Sequence, residues 1–287
     1  WNTKVANSVA YTGSTDAAVG TIVNQTFTLT TGVNNFVGGT SADTFTAPEA
    51  TLTGGDTLDG GAGADTLYIV DDTAFSVAVG AVVKNIENVT VTAGTTVTLD
   101  TTAAAFNSGV TGTVTTTSSG GAAVTVGTAD VSVTEASVAA TDGNVTVLGG
   151  KAVSVAVTGT TTDGDVAAEI VVGSATKAAT GAVTVTSTFT GSNGNDAADI
   201  AIIGGKTVSV TQSLGNAVNT TTTHGTVSVT GSADTTTVTV TQDKAATAAA
   251  AVVGKTNSAV TIADKNATST TLAGTITSVA LNNYGNS

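Results

Sequence analysis

Gly60-Gly61-Ala62-Gly63-Ala64-Asp65-Thr66-Leu67-Tyr68 fits a nine-residue repeat pattern, Gly-Gly-x-Gly-x-Asp-x-Leu-x, at every specified position. Each element has a physical role. The glycines permit a tight turn and bare the backbone carbonyls, Asp65 supplies a carboxylate, and Leu67 points into the core from a short strand. Nine residues earlier, Thr51-Leu52-Thr53-Gly54-Gly55-Asp56-Thr57-Leu58-Asp59 places Asp56 and Leu58 in the same phase. A third copy, Gly38-Gly39-Thr40-Ser41-Ala42-Asp43-Thr44-Phe45-Thr46, has Ser41 for the third glycine, and the insertion Ala47 to Ala50 follows it. Three aspartates, each followed two residues later by Phe or Leu, predict a short stack of turn-and-strand units over 34–70. Solvated turn aspartates are the bland alternative.

Outward from this stretch, residues 1–33 read as a leading linker whose Phe27-Thr28-Leu29-Thr30 alternates like a strand. After Val70 the alternation continues almost to the end, as in Val89-Thr90-Val91-Thr92 and Val145-Thr146-Val147-Leu148. Gly149-Gly150-Lys151-Ala152-Val153-Ser154-Val155 returns 55 residues on as Gly204-Gly205-Lys206-Thr207-Val208-Ser209-Val210. A recurring Gly-x-Val-Thr/Ser-Val unit implies stacked strands, none able to bury its apolar face alone. The expected fold is therefore all-β: a short parallel β-roll over 34–70, a β-rich domain over 71–140, and Thr/Val-rich β-sandwich or β-solenoid repeats over 141–287. Lys244 to Ala251 has helix propensity but is too short to stand alone, so it reads as a loop or helical turn.

Composition narrows the function. The 287 residues are 40% hydrophobic but only 3% aromatic, with one Trp and no Met, which suits thin β layers better than a thick core with a substrate pocket. The β-branched Val and Thr suit a pleated surface. A mean hydropathy of +0.31 is too apolar for a disordered tract. With no cysteine, disulfides, thiolate metal sites and thiol catalysis are excluded. The net charge is −13, and without arginine there is no bidentate reader of phosphate or guanine, so nucleic acid is a poor partner and divalent cations are a good one. No apolar run reaches the roughly 18 residues that a membrane span needs. The chain opens at Trp1 without Met and reads as an excerpt of a longer polypeptide.

The three copies resemble the calcium-binding RTX nonapeptide repeats, and the Thr/Val/Ala-rich strands after them are similar in composition to the RTX-containing surface-layer proteins of Gram-negative bacteria. The motif covers about 35 residues. The resemblance implies Ca2+ held between successive turns of a parallel β-roll by carboxylates and turn carbonyls. Residue by residue it implicates Asp43, Asp56 and Asp65, with Asp59, Gly38, Gly54, Gly60 and Ala62 beside them; so short a roll should bind few ions. It also implies type I secretion, an extracellular location, and a structural subunit that assembles with itself in a layer or filament, with cell-surface polysaccharide as a further partner. The alternative within the same composition is a repeat or spacer of a calcium-binding adhesin or biofilm-matrix protein.

Catalysis is not expected. His224 is the one histidine; it stands at the start of a predicted strand, where an exposed turn residue is the simplest reading. Glutamates are few and lack the aromatic platforms that sugars use. Lys151 and Lys206 follow paired glycines but lead into strands, not a phosphate-binding helix, and read as turn or edge charges. Oxygen-rich turns at Asp71-Asp72, Asp142-Gly143-Asn144, Asp163-Gly164-Asp165 and Asn193 to Asp196 with Asp199 are each ordinary solvated turns, and together could add cation sites between repeats.

Overall fold

The structure is a computed structural model that describes residues 23–107, 109–137, 143–161, 169–191, 198–214, 222–243 and 255–283. Val5 to Tyr11, Lys244 to Ala251, Asp142, Asp163 to Asp165 and Asn193 to Asp196 lie outside these residues. The described chain is all-β with no helix, and every strand pairing in its sheets is parallel. Parallel neighbours need a crossover, whereas a β-sandwich of this kind is built from antiparallel pairs. Of the two expected architectures for the repeats, the solenoid is the one adopted.

Eleven strands form one long sheet, from Thr26–Thr28 through Thr44–Ala47, Thr66–Asp71 and Asn88–Ala93 to Thr237–Gln242 and Ser278–Asn282. Each strand lies beside the equivalent strand of the next coil. A second sheet of eight strands runs from Phe75–Ser76 to Val260–Ala263, and a three-stranded sheet, Asn35–Val37, Thr57–Asp59 and Val82–Lys84, closes the first coils. The coil advances by 18 residues from Thr26 to Thr44, by 22 to Thr66 and by 22 to Asn88, and later by up to 41 from Val238 to Val279. The 55-residue sequence repeat is two coils, of 30 and 25 residues, seen in the register Val153, Val183, Val208.

Alternation sets the core. Along the long sheet Phe45, Leu67, Val89, Val114, Val131, Val153, Val183, Val208 and Val238 stand one above another and are all buried, while the threonines and serines between them face out or sit at the boundary. Stacked columns of one side-chain size pack without large residues, which accounts for the low aromatic content. Leu67 and Leu58 are fully buried, as the motif requires. One hydrophobic core extends from Leu29 to Val240, and the long sheet crosses positions 70 and 140 without a break.

Candidate cation site in the first coils

The residue just before each of the first long-sheet strands forms a vertical column: Gln25, Asp43, Asp65, Glu87. Each acid accepts the backbone N–H of the coil before it. Gln25 N–H donates to Asp43 Oδ1 (2.6 Å), Asp43 N–H to Asp65 Oδ1 (2.6 Å) and Asp65 N–H to Glu87 Oε2 (2.8 Å). The carboxylates thus continue the backbone ladder at the mouth of the turn.

Asp56 stands elsewhere. It precedes the three-stranded sheet, where its Oδ1 accepts Asn34 N–H (2.7 Å) and Asn34 Nδ2 (3.1 Å), and its Oδ2 accepts Thr53 N–H (2.5 Å) and Thr53 Oγ1 (3.1 Å). Burial works against its charge, but these donors prevail and hold its carboxyl below the ordinary value. Asp59 lies at the corner in an ion pair with Lys84 Nζ (2.9 Å) and accepts from Asn85 Nδ2 (2.8 Å). The hydrogen bond from Lys84 leads the causes that lower its carboxyl. The nine-residue spacing of Asp56 and Asp65 therefore separates two sheets of one coil, and the 22-residue spacing of Asp43 and Asp65 brings carboxylates together.

The glycines mark where coils touch. A Cβ on Gly60 would stand within 2.5 Å of both Asp65 Oδ2 and the Asn85 carbonyl oxygen; one on Gly38 would meet Asp43 Oδ2 and the Gly60 carbonyl oxygen equally closely. Two like cradles result, each a carboxylate oxygen of one coil and a carbonyl oxygen of the next converging over a bare Cα. They differ in one respect. Asp43 Oδ2 is taken by Gly39 N–H (2.6 Å), whereas Asp65 Oδ2 is fully buried and has no hydrogen-bond partner. Ala62 is exposed and donates its N–H to the Gly39 carbonyl (2.9 Å), and a Cβ on Gly54 would meet the Val79 carbonyl oxygen at 2.6 Å.

Burial is the largest influence on Asp65 and pushes its carboxyl above the ordinary value, with the Glu87, Asp43 and Asp59 charges adding to it. An orphaned carboxylate oxygen beside other carboxylates is what a divalent cation relieves. Among the described residues no three His, Cys, Asp or Glu side chains converge on one point. A cation here would bind through Asp65 Oδ2 with backbone carbonyls such as Asn85 O, a donor set of hard oxygens suited to Ca2+. Glu87 was not singled out by the motif, because Asn85-Ile86-Glu87 lacks its glycines. The 22-residue recurrence of Asp-Thr-Phe, Asp-Thr-Leu and Glu-Asn-Val at 43, 65 and 87 carried the signal.

The other oxygen-rich turns serve the backbone. Asp71 Oδ1 accepts Thr73 N–H and Oγ1 (2.8 Å each), Asn144 Oδ1 accepts Glu169 N–H (3.0 Å) from the next coil, and Asp199 Oδ1 accepts Thr226 N–H (2.6 Å). His224 corrects the expectation of an exposed turn residue: it is 1% exposed, inside the solenoid, with Nε2 3.1 Å from both Asp243 Oδ1 and the Asp243 carbonyl oxygen. The strand start that suggested a surface turn is roofed by the next coil, whose Thr256 carbonyl accepts His224 N–H (2.9 Å). Ser213 Oγ donates to Asp243 Oδ2 (3.2 Å), so the hydroxyl meets the carboxylate and not the imidazole. Lys151 and Lys206 are exposed at turns.

Among the described residues no helix is long and apolar enough to cross a membrane. No protein-family model matches the chain, and no curated protein does.

Proposed function

We propose that this chain is a calcium-stiffened structural element of an extracellular surface layer or filament, and that it assembles with copies of itself. The observation that carries the cation is Asp65 Oδ2, fully buried and unpartnered against the Asn85 carbonyl. Calcium bound there supplies positive charge between two coils, so binding energy becomes folding energy for the first coils. Asp65 and Asn85 hold the ion, Glu87 and Asp43 add negative potential, and Asp56 and Asp59 keep their backbone and Lys84 partners. Outside a cell, where calcium is plentiful, the roll tightens; inside, where it is scarce, it stays loose for export by the type I route. The net charge of −13 fits a subunit whose crowding is eased by divalent cations.

Eleven stacked strands at about 4.8 Å per step make a rod roughly 48 Å long. Such a rod equally suits the spacer of a surface adhesin, the second reading. Far-UV circular dichroism and light scattering during a calcium titration, reversed with EGTA, test both. A rise in unfolding midpoint with growth of large assemblies supports the layer; a rise with persistent monomers supports the spacer; no response at millimolar calcium refutes the cation site. The Asp65→Asn variant should lose the calcium-dependent gain and be no less stable than the parent in EGTA, because it removes a buried charge.

A further inference from the structure

The inward columns do not stop at the last covered coil. Val238 and Val240 are 0% and 1% exposed, and their partners one coil on, Val279 and Leu281, continue the same columns but are 51% and 42% exposed. Ser278–Asn282 and Val260–Ala263 are the outermost strands of their sheets, so on this face two parallel strands and the core side chains between them have no further coil among the described residues. At the opposite face the outermost strand is Thr26–Thr28, whose Phe27 occupies the same interior column and stacks on Phe45 (4.8 Å) and Phe36 (5.1 Å) while remaining half-buried.

We propose that these two faces dock on each other between copies, head to tail, so that Ser278–Asn282 of one copy pairs in parallel with Thr26–Thr28 of the next. This rests on the self-assembly reading above and names its surface. Three features favour a second copy as the occupant. The parallel register used ten times along the long sheet extends across the junction with Val279 beside Phe27 and Leu281 beside Leu29, apolar on apolar. The charges are complementary: residues 23–59 carry Asp43, Glu49, Asp56 and Asp59 and no lysine, whereas 255–283 carry Lys255 and Lys265 against Asp264. Finally, all strands run the same way, so the two faces are unlike and a single operator repeats without closing, which yields a filament. Bare parallel edges are templates for strand addition.

The absence of cysteine makes the test clean. Thr28→Cys combined with Ala280→Cys places two outer-face thiols on neighbouring strands of the proposed junction. In millimolar calcium, a short bismaleimide cross-linker should give a ladder of covalent multimers, with the 28–280 linkage identified by mass spectrometry and neither single variant forming a ladder. Val279→Lys with Leu281→Lys, both at exposed positions, should raise the critical concentration for assembly roughly tenfold or more, with an unchanged circular dichroism spectrum. Assembly that persists without the 28–280 linkage, or that ignores the lysines, overturns this junction and leaves self-assembly by another surface. Monomers at every calcium concentration overturn both.

Discussion

Replacing Gly60 by Ala puts a methyl group within 2.5 Å of Asp65 Oδ2 and of the Asn85 carbonyl oxygen, where ordinary contact begins at 3.4 Å. Neither neighbour can yield alone. Asn85 is backbone of the next coil, and Asp65 is fixed by the Asp43 N–H at 2.6 Å. The coils must part locally by about 1 Å, which breaks the bond from Gly60 N–H to the Lys84 carbonyl (3.0 Å) and disturbs the Lys84–Asp59 pair. One lost backbone hydrogen bond, worth about 1 kcal/mol, and an overpacking penalty of about 2 kcal/mol give roughly 3 kcal/mol of destabilisation. Gly127→Ala is the control, since a Cβ there meets nothing within 4 Å. Urea unfolding followed by circular dichroism in EGTA isolates the steric effect from any cation. If Gly60→Ala lies within about 0.5 kcal/mol of Gly127→Ala, close coil contact is not what that glycine is for.

Two further substitutions probe polar groups buried in the solenoid. Thr116 is fully buried in a column between Val91 and Val133, and its Oγ1 has no partner; Thr116→Val should stabilise the chain by roughly 1 kcal/mol in the same urea assay. Glu135 is fully buried, and burial pushes its carboxyl above the ordinary value although Ser118 Oγ and Gly121 N–H donate to it. Because its folded form holds the proton more tightly than its unfolded form, its contribution is present below the ordinary glutamate value near 4.5 and is lost as pH rises through the folded value. Glu135→Gln should therefore raise the thermal midpoint at pH 7, with the gain over the parent shrinking towards pH 4. An equal gain at both pH values would count against a buried charge as the cause.

Much of the site was legible as chemistry but not as geometry. The motif named Asp65 and the glycines that bring its coil against the next, because tight turns and close backbone approach demand those residues locally. It grouped Asp56 with Asp65 by a nine-residue step, yet the closed coil sends those two to different sheets and aligns residues 22 apart. Glu87 joins the acidic column although its own turn has lost the glycines, since a column is defined by stacking and tolerates a changed turn.

What the chain determines by itself is which face of each strand is apolar. Alternating Val and Thr place Leu67, Val153 and Val208 inward wherever those strands go, since side-chain direction has a period of two residues. Only the tertiary structure decides what each strand pairs with. Alternation is the same in a parallel solenoid and an antiparallel sandwich, and coils of 18 to 41 residues leave no constant period to read. The burial of His224 has the same origin: its neighbours in sequence are threonines and a glycine, and the strand that roofs it comes some thirty residues later, at Lys255–Thr256. Local chemistry fixes the faces, and long-range register fixes the neighbours.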